Sequence, residues 1–494
     1  MRKAFAILLT LLLLCTAGFA VAHFWVDGQK EAVTWEEETL YGDPSVVEGA
    51  VVQTNNHFRN HILWETEGTL GSTLKPVTKY TFSNASISSE INIRYEGIHM
   101  TASEDFLASM AFDSSDRIPA YAKEKYADLI AYCKACFESV EIGEEKDFTV
   151  DLSKYMDYYS LSGTFDYPDT DWHNFNEFEY YGHSSFSVAV PLIQGINDFF
   201  RIPIMGEYLA EFSINRRQNG VSFGGGAWNP YVYRPEFDSV YINDTCYLSF
   251  NAVAPNGEIA DTSQIPGGYG LYRLNIRSDG NGGLIADDPI ATMVYPMDPN
   301  EEFYYLEASD DEKHIYLHTW QGTKLMRTIL DAETMECLQK IELVDQPEDF
   351  YREMKQYDDF LAILQLSINN VENGSNTVTV FTEDEQGLYH HRFTVPMNVG
   401  GLDVNDDLLI FSSVTERMDF KDDTLYVVQN VYRDAKYSYA RGESPNFYVL
   451  AYAPEGIAYI GKYHVNLSRI NLLEEYGSSS VKPWYDSPVI FLDS

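Results

Sequence analysis

The chain has 494 residues, a formal net charge of −41, and a composition of 45% hydrophobic and 14% aromatic residues. So large a negative charge repels phosphate backbones and anionic lipid headgroups, which excludes nucleic acid as a partner. The apolar and aromatic content predicts a well-packed folded protein rather than a disordered acidic one.

The first 26 residues predict a segment that enters a membrane. A basic start, Arg2-Lys3, precedes an apolar run from Ala4 to Ala22 that is long enough to span a bilayer. The basic flank is expected to stay in the cytoplasm, so everything after about residue 27 is expected to be extracytoplasmic. We interpret 1–26 as a retained single-pass anchor. The alternative is a signal peptide that is cleaved after Ala22, which releases a secreted protein.

The rest of the chain is divided into a juxtamembrane linker at 27–45 and one extracytoplasmic domain at 46–494. Short segments rich in apolar and β-branched residues, bounded by turn residues, predict strands throughout that domain. Three of them form a first predicted blade, at Ala50–Thr54, His61–Thr66 and Val77–Phe82. Further strands are predicted at Phe186–Val190, Phe199–Pro203 and Tyr208–Ile214.

One helix is predicted at about 117–140, where apolar residues recur at helical spacing. Cys133 and Cys136 lie inside it, whereas a thioredoxin-type site opens a helix directly after a strand. We therefore predict core cysteines or a local disulfide rather than redox chemistry. With Cys246 and Cys337 the extracytoplasmic part has four cysteines, and three pairings remain open.

The stretch at about 101–185 is predicted to be a helical and aromatic insertion in the domain, and its part around 155–186 mixes aromatic rings with carboxylates. Rings stack on the apolar faces of sugars, and carboxylates accept hydrogen bonds from sugar hydroxyls. The same aromatic residues would equally serve to seal the insertion to the domain. A pair of the carboxylates at suitable spacing would also suit glycoside hydrolysis. The candidate ligand contacts are Asp166, Asp169, Asp171, Trp172, Glu177 and Tyr180.

No cofactor, catalytic residue or metal ligand is predicted. The acidic run Asp166–Asp171 offers oxygens to Ca²⁺, but it lacks the glycine and the final glutamate of an EF-hand loop, which favours a solvated acidic turn. The sequence holds no Gly-x-Ser-x-Gly elbow, no Gly-x-x-x-x-Gly-Lys-Ser/Thr phosphate loop and no His-Glu-x-x-His motif.

The clearest repeating unit runs from Phe303 to Leu343. Four short strands with a turn between each pair are typical of one blade of a β-propeller. They are predicted at Phe303–Ala308, His314–Trp320, Leu325–Leu330 and Cys337–Leu343. Looser units follow at 360–395 and 408–461, and acidic pairs such as Asp310-Asp311 and Asp422-Asp423 predict turns.

The size of the units sets the number of blades. At roughly 45–60 residues per irregular blade, the exported part holds six to eight blades, with seven as the central number. A final apolar strand, Pro488–Leu492, is placed to complete a blade.

The unit from Phe303 to Leu343, above all Asp331-Ala-Glu-Thr-Met-Glu336, resembles blades of quinoprotein-type and WD-repeat-like propellers. In those blades the third strand ends in a Leu-Asp-x-x-Thr turn. The resemblance implies architecture only: no Trp-Asp dipeptide closes a blade, so neither pyrroloquinoline quinone binding nor dehydrogenase activity is implied. The layout also looks like that of uncharacterised, membrane-anchored surface proteins of Gram-positive bacteria.

The sequence therefore predicts an all-β protein, a β-propeller with an insertion and an N-terminal transmembrane helix. We expect a membrane-tethered binding or scaffolding module for a protein, peptide or glycan at the cell envelope, and not an enzyme. The alternatives are an envelope glycoside hydrolase or lyase that uses carboxylates of 155–186, and an accessory subunit of a membrane complex.

Overall fold

The computed structural model describes residues 2–29, 33–58, 62–71, 74, 76–82, 97–102, 107, 110, 120–166, 173–176, 189–218, 220–224, 233–254, 256–278, 284–345, 350–357, 359–367, 376–397, 418–430, 446–466 and 484–491. They form two compact units, which we describe separately. The first unit comprises 1–91 and 347–494, and the second comprises 92–346.

The first unit contains the N-terminal helix and three antiparallel sheets. The helix is α1, Arg2–Gln29. The strands are β1 Thr34–Gly42, β2 Val51–Phe58, β3 Ile62–Thr69, β4 Val77–Phe82, β19 Phe350–Gln356, β20 Phe360–Ser367, β21 Thr377–Glu383, β22 Tyr389–Pro396, β23 Met418–Lys421, β24 Thr424–Asn430, β25 Asn446–Ala453, β26 Gly456–Asn466 and β27 Trp484–Phe491.

Strand order in these sheets is that of blades. Strands β19 to β22 follow one another in a four-stranded meander, and the order in the second sheet is β27-β2-β3-β4. The third sheet has the order β1-β26-β25-β24-β23, so each of the last two sheets contains strands from both ends of the chain. Alternate buried residues of β20, β21, β24 and β25 form one hydrophobic core of this unit, among them Leu364, Val380, Leu425 and Leu450, and a second core includes Trp35, Val52 and Val449.

The described residues of the second unit are also mostly β-structure, with three α-helices. The helices are α2 Ala120–Lys125, α3 Ala127–Glu138 and α4 Ala189–Phe199. The strands are β5 Gly97–Ala102, β6 Glu145–Asp151, β7 Leu161–Asp166, β8 His173–Asn176, β9 Leu209–Arg217, β10 Gly220–Gly224, β11 Glu236–Ile242, β12 Thr245–Phe250, β13 Gly270–Ser278, β14 Leu284–Pro296, β15 Glu302–Ala308, β16 His314–Gln321, β17 Lys324–Asp331 and β18 Cys337–Asp345.

These strands form a regular blade, a larger sheet and a small one. Strands β15 to β18 make a four-stranded meander, and the large sheet has the order β14-β13-β12-β11-β5-β7-β8. The small sheet, β10-β9-β6, carries α3 against its inner side, where Leu129 and Cys133 join one hydrophobic core with Phe212. One continuous core thus connects the helices to both larger sheets.

Tight hairpins connect consecutive strands, as the acidic turn residues predict. Asp422 and Asp423, between β23 and β24, both have positive φ angles, at 51° and 57°. Asn243 and Asp244 do the same between β11 and β12, at 47° and 59°. Two successive residues with positive φ define a type I′ turn, whose twist matches that of paired antiparallel strands. Asx residues tolerate this region better than other non-glycine residues.

The predicted fold class is confirmed: the chain is mostly β-structure, built from blades of the propeller type, with an apolar N-terminal helix. All four strands predicted between Phe303 and Leu343 are present as β15 to β18. The predicted helix at 117–140 is present as α2 and α3. The number of blades and the single-domain division at 46–494 stay predictions.

Two predicted strands are wrong. Residues 189 and 190, predicted to end a strand at Phe186–Val190, begin helix α4, and Phe199 ends it. Leu192, Ile196 and Phe199 are buried on one side at helical spacing, so burial of this face stabilises a helix. The second predicted strand, at Phe199–Pro203, is reduced to a single bridge between Pro203 and Tyr158.

Candidate functional site

The candidate contacts predicted from the sequence are largely outside the described residues. Asp166 is the last residue of β7, opposite Gly97 of β5 in the large sheet. Asp169, Asp171, Trp172, Glu177 and Tyr180 lie outside the part of the chain that the structure describes. A ligand surface or a Ca²⁺ site at these residues therefore stays a prediction.

One of the described aromatic residues of this stretch, Tyr159, belongs to the core. Tyr159 is 3% exposed and packs edge-on against Tyr208 and Tyr233, with ring centroids 5.1 and 5.7 Å apart. Its hydroxyl accepts a hydrogen bond from the Met205 amide at 3.3 Å. The Tyr159 ring thus packs the helical part against the rest of the unit, which is the structural alternative to ligand contact that the sequence analysis gave. Among the described residues, no group of three or more His, Cys, Asp or Glu side chains is placed to hold a metal ion.

A cluster of aromatic rings lies at the beginning of the β15–β18 blade. It consists of Tyr304, Tyr305 and Trp320, and we call it the Tyr304 platform. The Tyr304 ring lies 4.7 Å from that of Tyr305 and 6.2 Å from that of Trp320, in edge-to-face geometry with both. Tyr304 is 44% exposed, so this cluster places a large aromatic ring at the surface of a rigid blade.

A β-bulge produces this arrangement. Phe303 lies opposite Thr319 and Tyr305 lies opposite His318, so Tyr304 is the extra residue in β15. In a regular strand, Tyr304 and Tyr305 would point to opposite faces. The bulge bends the strand and redirects a side chain, which allows neighbouring aromatic residues to contact each other. The only sign of this in the sequence is that three consecutive aromatic residues, 303–305, interrupt the alternation.

Residues next to the Tyr304 platform hold it in place. Glu301 is 8% exposed and accepts hydrogen bonds from Gln321 at 2.6 Å and from Lys340. The Phe303 amide donates to the hydroxyl of Tyr269 at 2.9 Å, and that hydroxyl donates to the Glu301 carbonyl at 3.0 Å. The backbone on the N-terminal side of Tyr304 is therefore fixed from both sides of the strand.

A carboxylate and an amide lie beside the rings. Glu302 is opposite Trp320 in the strand register, and its carboxylate accepts a hydrogen bond from Asn251 Nδ2 at 3.2 Å. Partial burial raises the pKa of the Glu302 carboxyl, and the hydrogen bond from Asn251 opposes that rise. An accepting group and a donating group thus stand next to an exposed aromatic surface.

A buried polar network continues from the platform into the blade. The Tyr305 ring stacks on His318 at 4.1 Å, and Arg327 Nε donates to His318 Nε2 at 2.9 Å. Arg327 also donates to the Glu307 carboxylate at 3.2 Å, and its guanidinium lies 4.6 Å above the Tyr316 ring. Because His318 Nε2 accepts this bond, that nitrogen carries no proton. Burial raises the pKa of the Glu307 carboxyl, and the charge of Arg327 opposes this rise.

The second unit also has an open cleft of about 730 Å³ between α4, β14 and the Pro266-Gly267 turn. Asp198, Asp287 and Asp288 border it, above an apolar floor that includes Ile290 and Phe199. Two of the three carboxylates are paired at the surface, Asp198 with Arg201 at 3.5 Å and Asp287 with Arg277 at 3.7 Å. Sequence reasoning missed this cleft because its walls come together only through folding.

Among the cysteines that follow α1, Cys133, Cys136 and Cys246 are buried and Cys337 is exposed. Burial raises the pKa of the Cys133 thiol to about 12, which keeps it protonated. Burial also raises the pKa of Cys136. Both residues lie within α3, where no helix N-terminus lowers a thiol pKa. Their environment is that of core cysteines, which agrees with the structural interpretation of the Cys-Lys-Ala-Cys sequence.

Fold and site together define a class: a mostly β protein of propeller-type blades with an apolar N-terminal helix. Neither protein-family models nor curated protein sequences match the chain. Among solved structures, it is similar to the periplasmic gluconolactonase of Pseudomonas aeruginosa, at 10% identity over 89% of this chain and 99% of the other, with a TM-score of 0.28.

Two further structures illustrate the range of these similarities. A putative 6-phosphogluconolactonase from Bacteroides fragilis has 10% identity over 84% of this chain and 95% of the other, with a TM-score of 0.27. The β-propeller domain of the trilobed protease of Pyrococcus furiosus has 9% identity over 50% of this chain and 76% of the other, with a TM-score of 0.21. Similarities this low carry no statement about activity or ligand.

Proposed function

We propose that this protein is a membrane-tethered, extracytoplasmic binding module that meets a protein, peptide or glycan ligand at the cell envelope. The observation that carries the proposal is the apolar helical segment Ile7–Trp25, none of which is buried against the rest of the chain. An apolar surface of this length is stable only when a bilayer covers it. The basic residues Arg2 and Lys3 favour the orientation in which the blades lie outside.

The connection between the helix and the blades supports a close tether. Four residues separate Gln29 at the end of α1 from Thr34 at the start of β1, so five Cα–Cα steps give a reach of at most about 18 Å. Strand β1 is fixed at once to its sheet: Trp35 is 4% exposed and packs edge-on against Phe447, with ring centroids 5.0 Å apart. The edge of this sheet is therefore held near the membrane surface.

The rigid blades support a binding role rather than an enzymatic one. The Tyr304 platform and the acidic cleft both offer contact surfaces, and loops or exposed residues on a rigid scaffold are common places for recognition. Hydrolysis by carboxylates of 155–186 remains the competing function, since its residues are outside the described part of the chain. Loss of glycan hydrolysis on substituting Asp169 or Glu177 would favour that competitor.

Membrane fractionation tests the tether. We expect the native protein to remain with membranes in high salt and to leave them only in detergent, because apolar contact and not charge holds it. External protease should release a soluble acidic fragment. The matched control is a variant that carries a cleavable export signal in place of 1–22, which should be recovered free of the membrane. N-terminal sequencing of the native protein can contradict the tether: a protein that begins at His23 has lost the apolar segment by cleavage after Ala22.

A further inference from the structure

We propose that the Tyr304 platform is a carbohydrate-binding site that stacks a β-linked pyranose of an oligosaccharide on the Tyr304 ring. The inference deepens the proposed function, on which it rests, by naming the ligand class and the residues. It places the site in the β15–β18 blade, away from the 155–186 stretch where the sequence suggested sugar contacts.

The exposed ring is the first argument. A β-linked hexopyranose has mostly equatorial hydroxyls, so its two faces are flat and carry C–H groups. Packing such a face against an aromatic ring of similar size removes apolar surface from water, which is favourable. Tyr304 is 44% exposed although its neighbours in the register, Phe303 and Thr319, are buried. Tyr304 presents such a ring at the surface, and the bulge brings the neighbouring Tyr305 ring against it.

The second argument is the rigidity of the ring. Tyr304 is bordered by Tyr305 and Trp320, whose edge-to-face contacts restrict its rotation. The residues just before it are also held in place. Gln321 of β16 and Lys340 of β18 donate to the Glu301 carboxylate, and the Phe303 amide donates to the Tyr269 hydroxyl. A contact surface that is already ordered loses little conformational entropy on binding, which weak stacking interactions require.

The third argument is the polar rim. Glu302 has a carboxylate that accepts a hydrogen bond from Asn251, and it lies opposite Trp320. Asn251, whose Oδ1 accepts a hydrogen bond from the Val253 amide at 2.9 Å, positions this carboxylate, and a carboxylate accepts several hydrogen bonds, so Glu302 suits the hydroxyls at the edge of a stacked sugar. Sugars are neutral, which removes the electrostatic penalty that an anionic ligand would meet on a chain of net charge −41.

The test is calorimetric titration of the full-length protein in lipid nanodiscs with β-1,4-linked tetrasaccharides of glucose and of N-acetylglucosamine. Nanodiscs are used because detergents with sugar headgroups would compete for the site. We expect at least one of the two probes to bind. The Tyr304→Ala variant should then weaken the affinity by about tenfold or more, whereas Tyr304→Phe should stay within about threefold of the native protein.

Tyr41 provides the matched control. It is 40% exposed, also follows a register shift, and lies in β1 of the first unit. Tyr41→Ala should leave the affinity unchanged. The proposal is overturned if neither tetrasaccharide binds at millimolar concentration, or if Tyr304→Ala binds as the native protein does. Membrane fractionation is a separate measurement, so a failure to bind sugar and a failure of the tether are distinguishable.

Discussion

Val52 of β2 lies opposite Ile490 of β27, so a strand from the end of the chain completes the sheet that begins near its start. Pairing continues from Val51 opposite Phe491 to His57 opposite Trp484, with one register shift. The sheet order β27-β2-β3-β4 gives β2 a partner on both sides. The first predicted blade thus obtains its fourth strand from about 430 residues away, as the apolar Pro488–Leu492 segment suggested.

Deleting Val489–Ser494 should destabilise the first unit. The deletion removes the residues opposite Val51, Val52 and Gln53, which leaves part of β2 as an unpaired edge with its amide and carbonyl groups in water. We expect the melting temperature to fall by about 5 °C or more. The control removes only Leu492–Ser494, which follow β27, and should change little. Equal melting temperatures for both deletions would contradict a structural role for β27.

The ion pair between Glu301 and Lys340 should contribute more to stability than a surface pair on the same strand. The Glu301 side chain is 11% exposed and that of Lys340 is 30% exposed. Glu301→Gln should lower the free energy of unfolding by about 2 kcal/mol, because Lys340 loses its partner in a poorly solvated place. Lys340→Met added to that variant should recover part of the loss. Calorimetry of both variants measures the two effects.

Lys324 and Glu342 give the matched comparison. Their charged groups are 2.6 Å apart and join β17 to β18, and their side chains are 48% and 43% exposed. Solvent screens such a pair and little energy is gained by forming it. Lys324→Met should therefore leave the melting temperature nearly unchanged. A loss as large as that of Glu301→Gln would show that burial does not distinguish the two pairs.

Thiol reactivity should separate the exposed cysteine from the buried ones. Cys337 is exposed, whereas Cys133, Cys136 and Cys246 are buried. In a Cys15→Ala background, an aromatic disulfide reagent at pH 8 should modify Cys337 first, and the buried cysteines should react only on unfolding. Cys337→Ser should remove the fast reaction. A denatured protein that is two thiols short until it is reduced would instead indicate a disulfide between two of the buried cysteines.

Local signals were sufficient to predict the β15–β18 blade, but long-range pairing was not predictable. The strands from Phe303 to Leu343 are short segments rich in apolar and β-branched residues between strong turn residues, and both signals act over a few positions. By contrast, β5 joins the large sheet through Met100 opposite Phe237, a pairing more than a hundred residues apart. Nothing in either short segment specifies the other as its partner.

The candidate site illustrates the same limit. Carboxylates beside aromatic residues drew the sequence interpretation to 155–186, where Tyr159 proves to be a core residue. The Tyr304 platform was missed because the contact between the Tyr304 and Tyr305 rings depends on a bulge, and a bulge is a mismatch between two strands rather than a property of one. Helix α4 was mistaken for a strand because a short apolar run fits either structure until packing decides.

The turn that begins at Asp331 should show a pH-dependent contribution to stability. Its carboxylate accepts hydrogen bonds from the Thr334 amide at 2.7 Å, the Thr334 hydroxyl at 2.8 Å and the Glu333 amide at 3.1 Å. The bond from the Thr334 backbone is the main cause that lowers the pKa of Asp331. A lowered carboxyl pKa stabilises the fold above the unfolded value of about 3.9, and this stabilisation is lost as pH falls through the folded value. Asp331→Asn should therefore reduce the urea midpoint at pH 7 and much less at pH 3. An equal deficit for Asp331→Asn at both pH values would refute the role of its charge.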